Sequence, residues 1–264
     1  MTESYLTLET DRRGVATLRL NRPEVHNAFD DRLIEEMIKT LKRVDQDDDV
    51  RVLVFKSEGK HFSAGADINW MKRMAEYTPE ENRADAMRLA ELMRTLNFMN
   101  KPVLTLVQGA AFGGAVGLVA CSDIVVAADD AIFSLSEVRL GIIPAVISPY
   151  VTAAIGQSAS RRYCLSGERF GAQEALRIGL AHEVVPRADL ESKAVEIIAE
   201  LLKCGPQAQR AAKDLVFAVS SRPIDQDIIE DTADRITKAR SSAEGQEGLG
   251  AFLEKRAPAW IKDN

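Results

Sequence analysis

The chain has 264 residues, 46% hydrophobic and 28% charged, enough to bury a sizeable core in one or two domains. A net charge of −6 with no run of Lys or Arg argues against nucleic acid or an anionic membrane surface as the main partner. Cys121, Cys164, Cys204 and His26, His61, His182 are scattered, so neither a disulfide framework nor a metal site is expected. With no membrane-length apolar run and no presequence, the chain reads as cytoplasmic.

Residues 5–9 and Val15–Leu20 alternate like strands around a turn at 11–14. A polar loop follows over 21–28. Asp30 is placed to cap a helix whose apolar face is Leu33, Ile34, Met37, Ile38 and Leu41. The acidic stretch 45–49 ends it as a solvated loop; it lacks the EF-hand pattern. Residues 50–55 form a buried strand. Small residues over 61–67 then lead into a helical segment over 68–75, which exposes unpaired backbone N–H groups at its start.

Thr78-Pro79-Glu80-Glu81 opens a long helix, with Ala86, Leu89, Ala90, Met93 and Leu96 on one face. The methionines of this region, Met71, Met74, Met87, Met93 and Met99, read as core or pocket wall. Val103–Val107 is a buried strand, 108–114 a tight loop of small residues, and the helix after it starts at Gly114. Strands are expected over 124–127 and 131–135, and a bend at 141–144. Helices dominate from Ile147, broken by a short strand at Glu183–Val185; Pro206 and Pro223 start new helices. Strand pairs with helices, followed by helices alone, indicate an α/β core and a helical C-terminal region.

Two features carry chemistry. The N–H groups at Gly114 and in the 61–67 loop supply two donors, which is what an oxyanion hole requires. Glu137, a carboxylate in a stretch of apolar and small residues, is the acid/base candidate. Taken singly, a glycine pair serves tight turns equally well, and a lone acid is more often a solvated or ion-paired charge.

Five ordered stretches give the pattern a family likeness: Leu20-Asn21-Arg22-Pro23 with Asn27-Ala28; 61–67; 108–123; 136–144; and 244–256. Together they resemble the crotonase (enoyl-CoA hydratase/isomerase) superfamily over nearly the whole chain. Residues 110–115, 135–139 and 144–150 are most similar to bacterial methylglutaconyl-CoA hydratases and the related isohexenylglutaconyl-CoA hydratases. The resemblance implies an α/β, crotonase-like spiral of repeated β-β-α units over 1–200. It implies a helical region over 201–264 that builds homotrimers or hexamers. It implies an acyl-CoA thioester as substrate, with CoA part of the substrate and no separate cofactor.

Carried over by motif, the backbone N–H groups of Ala66 and Gly114 form the oxyanion hole and Glu137 is the acid/base. Ala64, Asp67, Ile68 and the backbone near Val25 hold the CoA end. Two departures from the family pattern stand out. Gly117 falls where hydratases with two catalytic glutamates carry the first of them, and its missing side chain is read as room for a substrate branched at the β carbon. Glu24 falls where relatives often carry a lysine near the CoA phosphates, which leaves Arg22 and Lys262 as phosphate candidates. The implied reaction is hydration of a branched enoyl-CoA such as 3-methylglutaconyl-CoA. A Δ3,Δ2-enoyl-CoA isomerase using Glu137 alone, or a non-catalytic acyl-CoA-binding protein, are the alternatives.

Overall fold

The computed structural model describes residues 5–261. Strands β1 (Leu6–Thr10) and β2 (Val15–Leu20) form an antiparallel hairpin, and Asp11 holds its turn by accepting the Arg13 and Val15 amides. Helix α1 (Asp31–Gln46) starts at Asp30, whose carboxylate accepts the Leu33 N–H at 2.8 Å. It buries Leu33, Ile34, Met37, Ile38 and Leu41, the face its spacing predicts.

The chain then repeats one pattern: a long strand, a short extended piece, a helix. β3 (Val52–Ser57) leads through 63–66 to α2 (Ile68–Met74) and α3 (Pro79–Asn97). β4 (Val103–Val107) leads through β5 (Ala110–Phe112) to α4 (Gly114–Ala120). β6 (Ile124–Ala128) leads through β7 (Ile132–Ser134) and a 3-10 turn, Ser136–Leu140, to α5 (Ser148–Ser166). β8 (Arg169–Gly171), α6 (Ala172–Ile178) and β9 (Glu183–Val185) close the series.

The long strands form a six-stranded sheet in the order β1-β2-β3-β4-β6-β9, parallel except for the first pair. The short pieces form a second sheet, β5-β7-β8, continued by single bridges from Ala111 to Ser63 and from Ala66 to Phe29. The result is the α/β spiral of β-β-α units that the resemblance implies.

Both faces of the large sheet are covered, which is why its central strands read as continuous apolar runs. Val103 and Val107 of β4 point into the main core with α1 and α3. Leu104 and Leu106 point the other way, onto Leu190, Ala194 and Ile198 of α7 (Leu190–Leu202). Beyond it, α8 (Pro206–Val219), α9 (Gln226–Ser241) and α10 (Ala243–Glu254) pack on one another. Glu244 of α10 accepts the Gln207 and Ala208 amides at the start of α8, a carboxylate at the positive end of a helix.

Several expectations are corrected. The 108–114 segment is not all loop, because Ala110–Phe112 pairs with β7. Arg169–Gly171, inside a stretch read as helical, is a strand held by β7. On α3 the first turns are solvated: Ala86 is exposed, and the buried residues are Leu92, Met93 and Leu96. Pro223 does not start a helix; α9 begins after Asp225, whose carboxylate caps Ile228. Among the described residues no helix is long and apolar enough to cross a membrane, and no group of three or more His, Cys, Asp or Glu could hold a metal ion.

Candidate active site

The loops after β3, β4 and β6 all leave from the carboxyl ends of parallel strands, the edge where open α/β sheets bind ligands. Three buried polar side chains fix them. Asn27 donates to the carbonyls of Glu58 and His61 and accepts the Arg22 N–H. Gln108 donates to the Ser57 carbonyl at 2.9 Å. Arg22 sits between Asp30 and Asp67 at 3.4 and 3.3 Å and donates to the Ala28 carbonyl at 2.8 Å. Arg22 is 8% exposed, so the sequence-based idea that it meets CoA phosphates is corrected: its charge is spent on two helix-capping carboxylates. Lys262, the other phosphate candidate, lies outside the described residues.

The 63–66 piece is extended and lies between two neighbours. Ser63 exchanges bonds with Ala110 and Phe112, while Phe29 donates to the Gly65 carbonyl and accepts the Asp67 N–H. These pairings leave the Ala66 N–H pointing away from Phe29. Among the described residues neither the Ala66 nor the Gly114 N–H donates to a protein acceptor. Gly113 turns the chain into α4 with φ of +56°, a conformation that suits glycine. Gly114 packs so closely on Phe29 that a Cβ there would lie 2.6 Å from the ring's Cζ. Phe29 therefore touches both donor segments, one through its backbone and one through its ring. Sequence reasoning missed it, although it directly follows Asn27-Ala28.

Glu137 lies in the 3-10 turn after β7, half-buried. Its carboxylate faces Gly113: a Cβ built there would be 3.3 Å from Oε1. Its Oε2 is fully buried without a hydrogen-bond partner. Burial pushes the Glu137 carboxyl above the usual value, against a smaller lowering from its own backbone N–H. The thiol of Cys164 on α5 is raised as well, first by burial and then by the Glu137 charge. A half-buried carboxylate of raised affinity for protons, beside the turn that presents the free Gly114 N–H, can take and return a proton while an oxyanion is held nearby.

The remaining sequence candidates divide. Ala64 is half-buried and donates to the His26 carbonyl at 2.9 Å; Val25 is half-buried in a 3-10 turn; Ile68 is exposed. Asp67 is buried, and its carboxylate caps α2 and pairs with Arg22, so its side chain is already committed. Gly117 is not the open space expected. A Cβ there would lie 2.3 Å from Ile147 Cγ2, 2.7 Å from Ile147 Cβ and 3.2 Å from Met93 Sδ. The volume left by the glycine is filled by hydrocarbon, a complementarity thirty positions away that the local sequence does not signal.

Comparison with known proteins places this arrangement. The sequence profile of the enoyl-CoA hydratase/isomerase family matches residues 10–263. The crystal structure of an enoyl-CoA hydratase from Shewanella pealeana is similar with a TM-score of 0.95 and 49% identity, over 97% of this chain and 96% of that one. Hydroxycinnamoyl-CoA hydratase-lyase of Pseudomonas fluorescens is 37% identical over 76% of this chain and 74% of its own length. Trans-2-decenoyl-[acyl-carrier-protein] isomerase of Streptococcus mutans is 30% identical over 93% of this chain and 94% of its own.

Proposed function

This chain belongs to the enoyl-CoA hydratase/isomerase family, and on that premise we propose that it adds water across the α,β double bond of a branched enoyl-CoA thioester, 3-methylglutaconyl-CoA or a close relative. The observation that carries the reading is the buried, unpartnered Oε2 of Glu137 beside the turn that presents the Gly114 N–H.

In this reading the thioester carbonyl oxygen sits between the N–H groups of Ala66 and Gly114. Charge grows on it as the β carbon is attacked, and preformed donors stabilise that charge without reorganising. Glu137, ionised, takes a proton from water as the new C–O bond forms at the β carbon. The same carboxylate, now protonated, returns a proton to the α carbon. Ala64, Asp67 through its backbone, Ile68 and the backbone near Val25 line the CoA end. The preference for a branched acyl group rests on the resemblance of residues 110–115, 135–139 and 144–150, since Gly117 leaves no free volume.

The presence of Glu137 as a single carboxylate favours one rival. A 1,3-proton shift needs one carboxylate and no water, so a β,γ to α,β isomerase uses the same parts. Turnover of 3-methylglutaconyl-CoA, followed as loss of enoyl-thioester absorbance beside a β,γ-enoyl-CoA, separates the two. Hydration that disappears in Glu137→Gln supports the hydratase. Conjugation of the β,γ substrate without hydration of the other overturns it in favour of the isomerase, and binding of both without turnover leaves only an acyl-CoA-binding protein.

Assembly into trimers or hexamers through the C-terminal helices belongs to the same reading. Phe252 and Leu253 of α10 and Ile224 before α9 are largely exposed, an apolar surface that a second copy would cover. Sedimentation of the purified chain as a monomer would refute it.

A further inference from the structure

We propose that Ile147 fixes this site as a one-carboxylate site: it fills the niche over Gly117, makes residues 117 and 147 an exclusive pair, and confines acid/base work to Glu137. The proposal rests on the reading of Glu137 as the acid/base. It does not depend on the acyl group.

Gly113 precedes α4 in a non-helical turn, and Gly117 lies one turn inside the helix. A side chain at Gly113 would meet the Glu137 carboxylate. A side chain at Gly117 would meet Ile147 and Met93. The family resemblance puts the first glutamate of two-glutamate hydratases at position 117, and Ile147 occupies the space its side chain would need.

The occupant cannot step aside. Ile147 is 2% exposed, and its carbonyl accepts the Tyr150 and Val151 amides where α5 begins. Its β-branched side chain is stiff at χ1. Met93 is wholly buried behind it, with its sulfur 3.9 Å from Cys121 Sγ. The overlap at Gly117 includes Cβ of Ile147 at 2.7 Å, an atom that moves only with the backbone, so a χ1 change that swings Cγ2 away does not clear it. Any side chain at 117 thus requires a smaller residue at 147. Proton traffic is left to the carboxylate of Glu137.

The test is a cycle on the full chain: Gly117→Glu, Ile147→Gly and the double variant, each alone and with Glu137→Gln. Glycine is tolerated at the residue preceding a helix, so Ile147→Gly leaves the start of α5 intact. Thermal midpoints and pH profiles of kcat/KM on the enoyl-CoA are read for each. Gly117→Glu alone is expected to lose its midpoint or its soluble yield, and the double variant to melt above it. The double variant is expected to gain a second ionisation in its pH profile. Carrying Glu137→Gln as well, it should turn over about 100-fold faster than Glu137→Gln alone, the lower end of what a positioned acid/base supplies.

Additive changes in midpoint, or Gly117→Glu as stable as the parent, would overturn the pairing. If Gly117→Glu yields no soluble protein, Gly117→Ala with and without Ile147→Gly reads the same coupling with a single Cβ. A double variant that refolds the pairing but gains neither ionisation nor turnover would overturn the claim about carboxylate number. Full activity of Glu137→Gln by itself would bring down the hydratase reading instead, while the midpoints would still decide the pair.

Discussion

Gly114→Ala tests how the two N–H donors are held together. The backbone at Gly114 is not in the left-handed region, so alanine is not strained by conformation there. The whole effect comes from one methyl group placed 2.6 Å from Phe29 Cζ and 3.1 Å from Cε2. Carbon atoms sit comfortably at about 3.5–4.0 Å, so the ring must retreat by roughly 1 Å. It has little room, because Phe29 is 3% exposed and its ring centroid is 6.3 Å from that of Trp70. Overpacking of this kind costs about 1–3 kcal/mol. For a chain of this size about 2 kcal/mol lowers the midpoint by roughly 4–8 °C. The ring cannot move alone, since the Phe29 backbone bonds on both sides of Ala66. A donor displaced by about 1 Å costs on the order of 100-fold, and one lost outright about 2.7–4 kcal/mol of transition-state stabilisation. Initial rates on an enoyl-CoA and thermal melts of Gly114→Ala, Phe29→Leu and the double variant measure both. The expectation is a kcat drop of about 100-fold or more with KM little changed. The double variant should recover part of the lost stability. A Gly114→Ala enzyme with parental kcat and a lowered midpoint would refute the link between Phe29 and the donors.

Other perturbations separate chemistry from scaffold. Glu137→Gln should lower kcat by about 100-fold or more, as expected for loss of a general acid/base. It should also raise stability at neutral pH. Burial lifts the Glu137 carboxyl above its ordinary 4.5, so the folded state holds the proton more tightly than the unfolded one. The stabilisation from that proton is complete below the unfolded value and is lost as pH rises through the folded one. Glutamine avoids the loss, so its advantage in melts should shrink to nothing below about pH 4.5. Arg22→Met leaves buried Asp67 and half-buried Asp30 without their cation, and urea unfolding should show a loss of about 3–5 kcal/mol, with activity falling because Asp67 adjoins Ala66. Thr78→Ala removes an exposed capping box at the start of α3, in which Glu81 N–H donates to the Thr78 hydroxyl and Thr78 N–H to Glu81. It should cost about 1 kcal/mol in the same assay and leave kcat unchanged.

Features written within a few neighbouring residues were legible in the sequence. The Asp30 and Thr78 caps, the buried stripe of α1 and the apolar run of β4 each follow from local chemistry or one short period. The three-residue strands were not, because β5 and β8 exist only through hydrogen bonds to β7 and have no period of their own. The outward turn of Ala86 has the same origin: α3 has regular spacing, but only its second half lies over the core. Arg22 looked available because it stands in a polar loop beside Glu24. Its two carboxylate partners lie eight and forty-five positions on, and only the fold shows that they claim it.

The candidate site divides along the same line. Gly114 and Glu137 could be named because small residues before a helix and an isolated acid are visible in one dimension, while Ala66 was singled out within the 61–67 loop only by the family resemblance; the structure brings Glu137 to Gly113 and joins the Ala66 and Gly114 segments through Phe29. What could not be read is complementarity between side chains. Phe29 against Gly114 and Ile147 against Gly117 are both pairs of a glycine with a large apolar residue, and in each the glycine is informative only once its partner is known. This follows from how the proposed hole works. Both donors are main-chain N–H groups, so the side chains at 66 and 114 contribute no chemistry, only the absence of bulk. Selection at such positions acts on what packs over them. A substitution there should therefore be judged by the atom it would strike, and a change in the partner can matter as much as a change in the residue that donates.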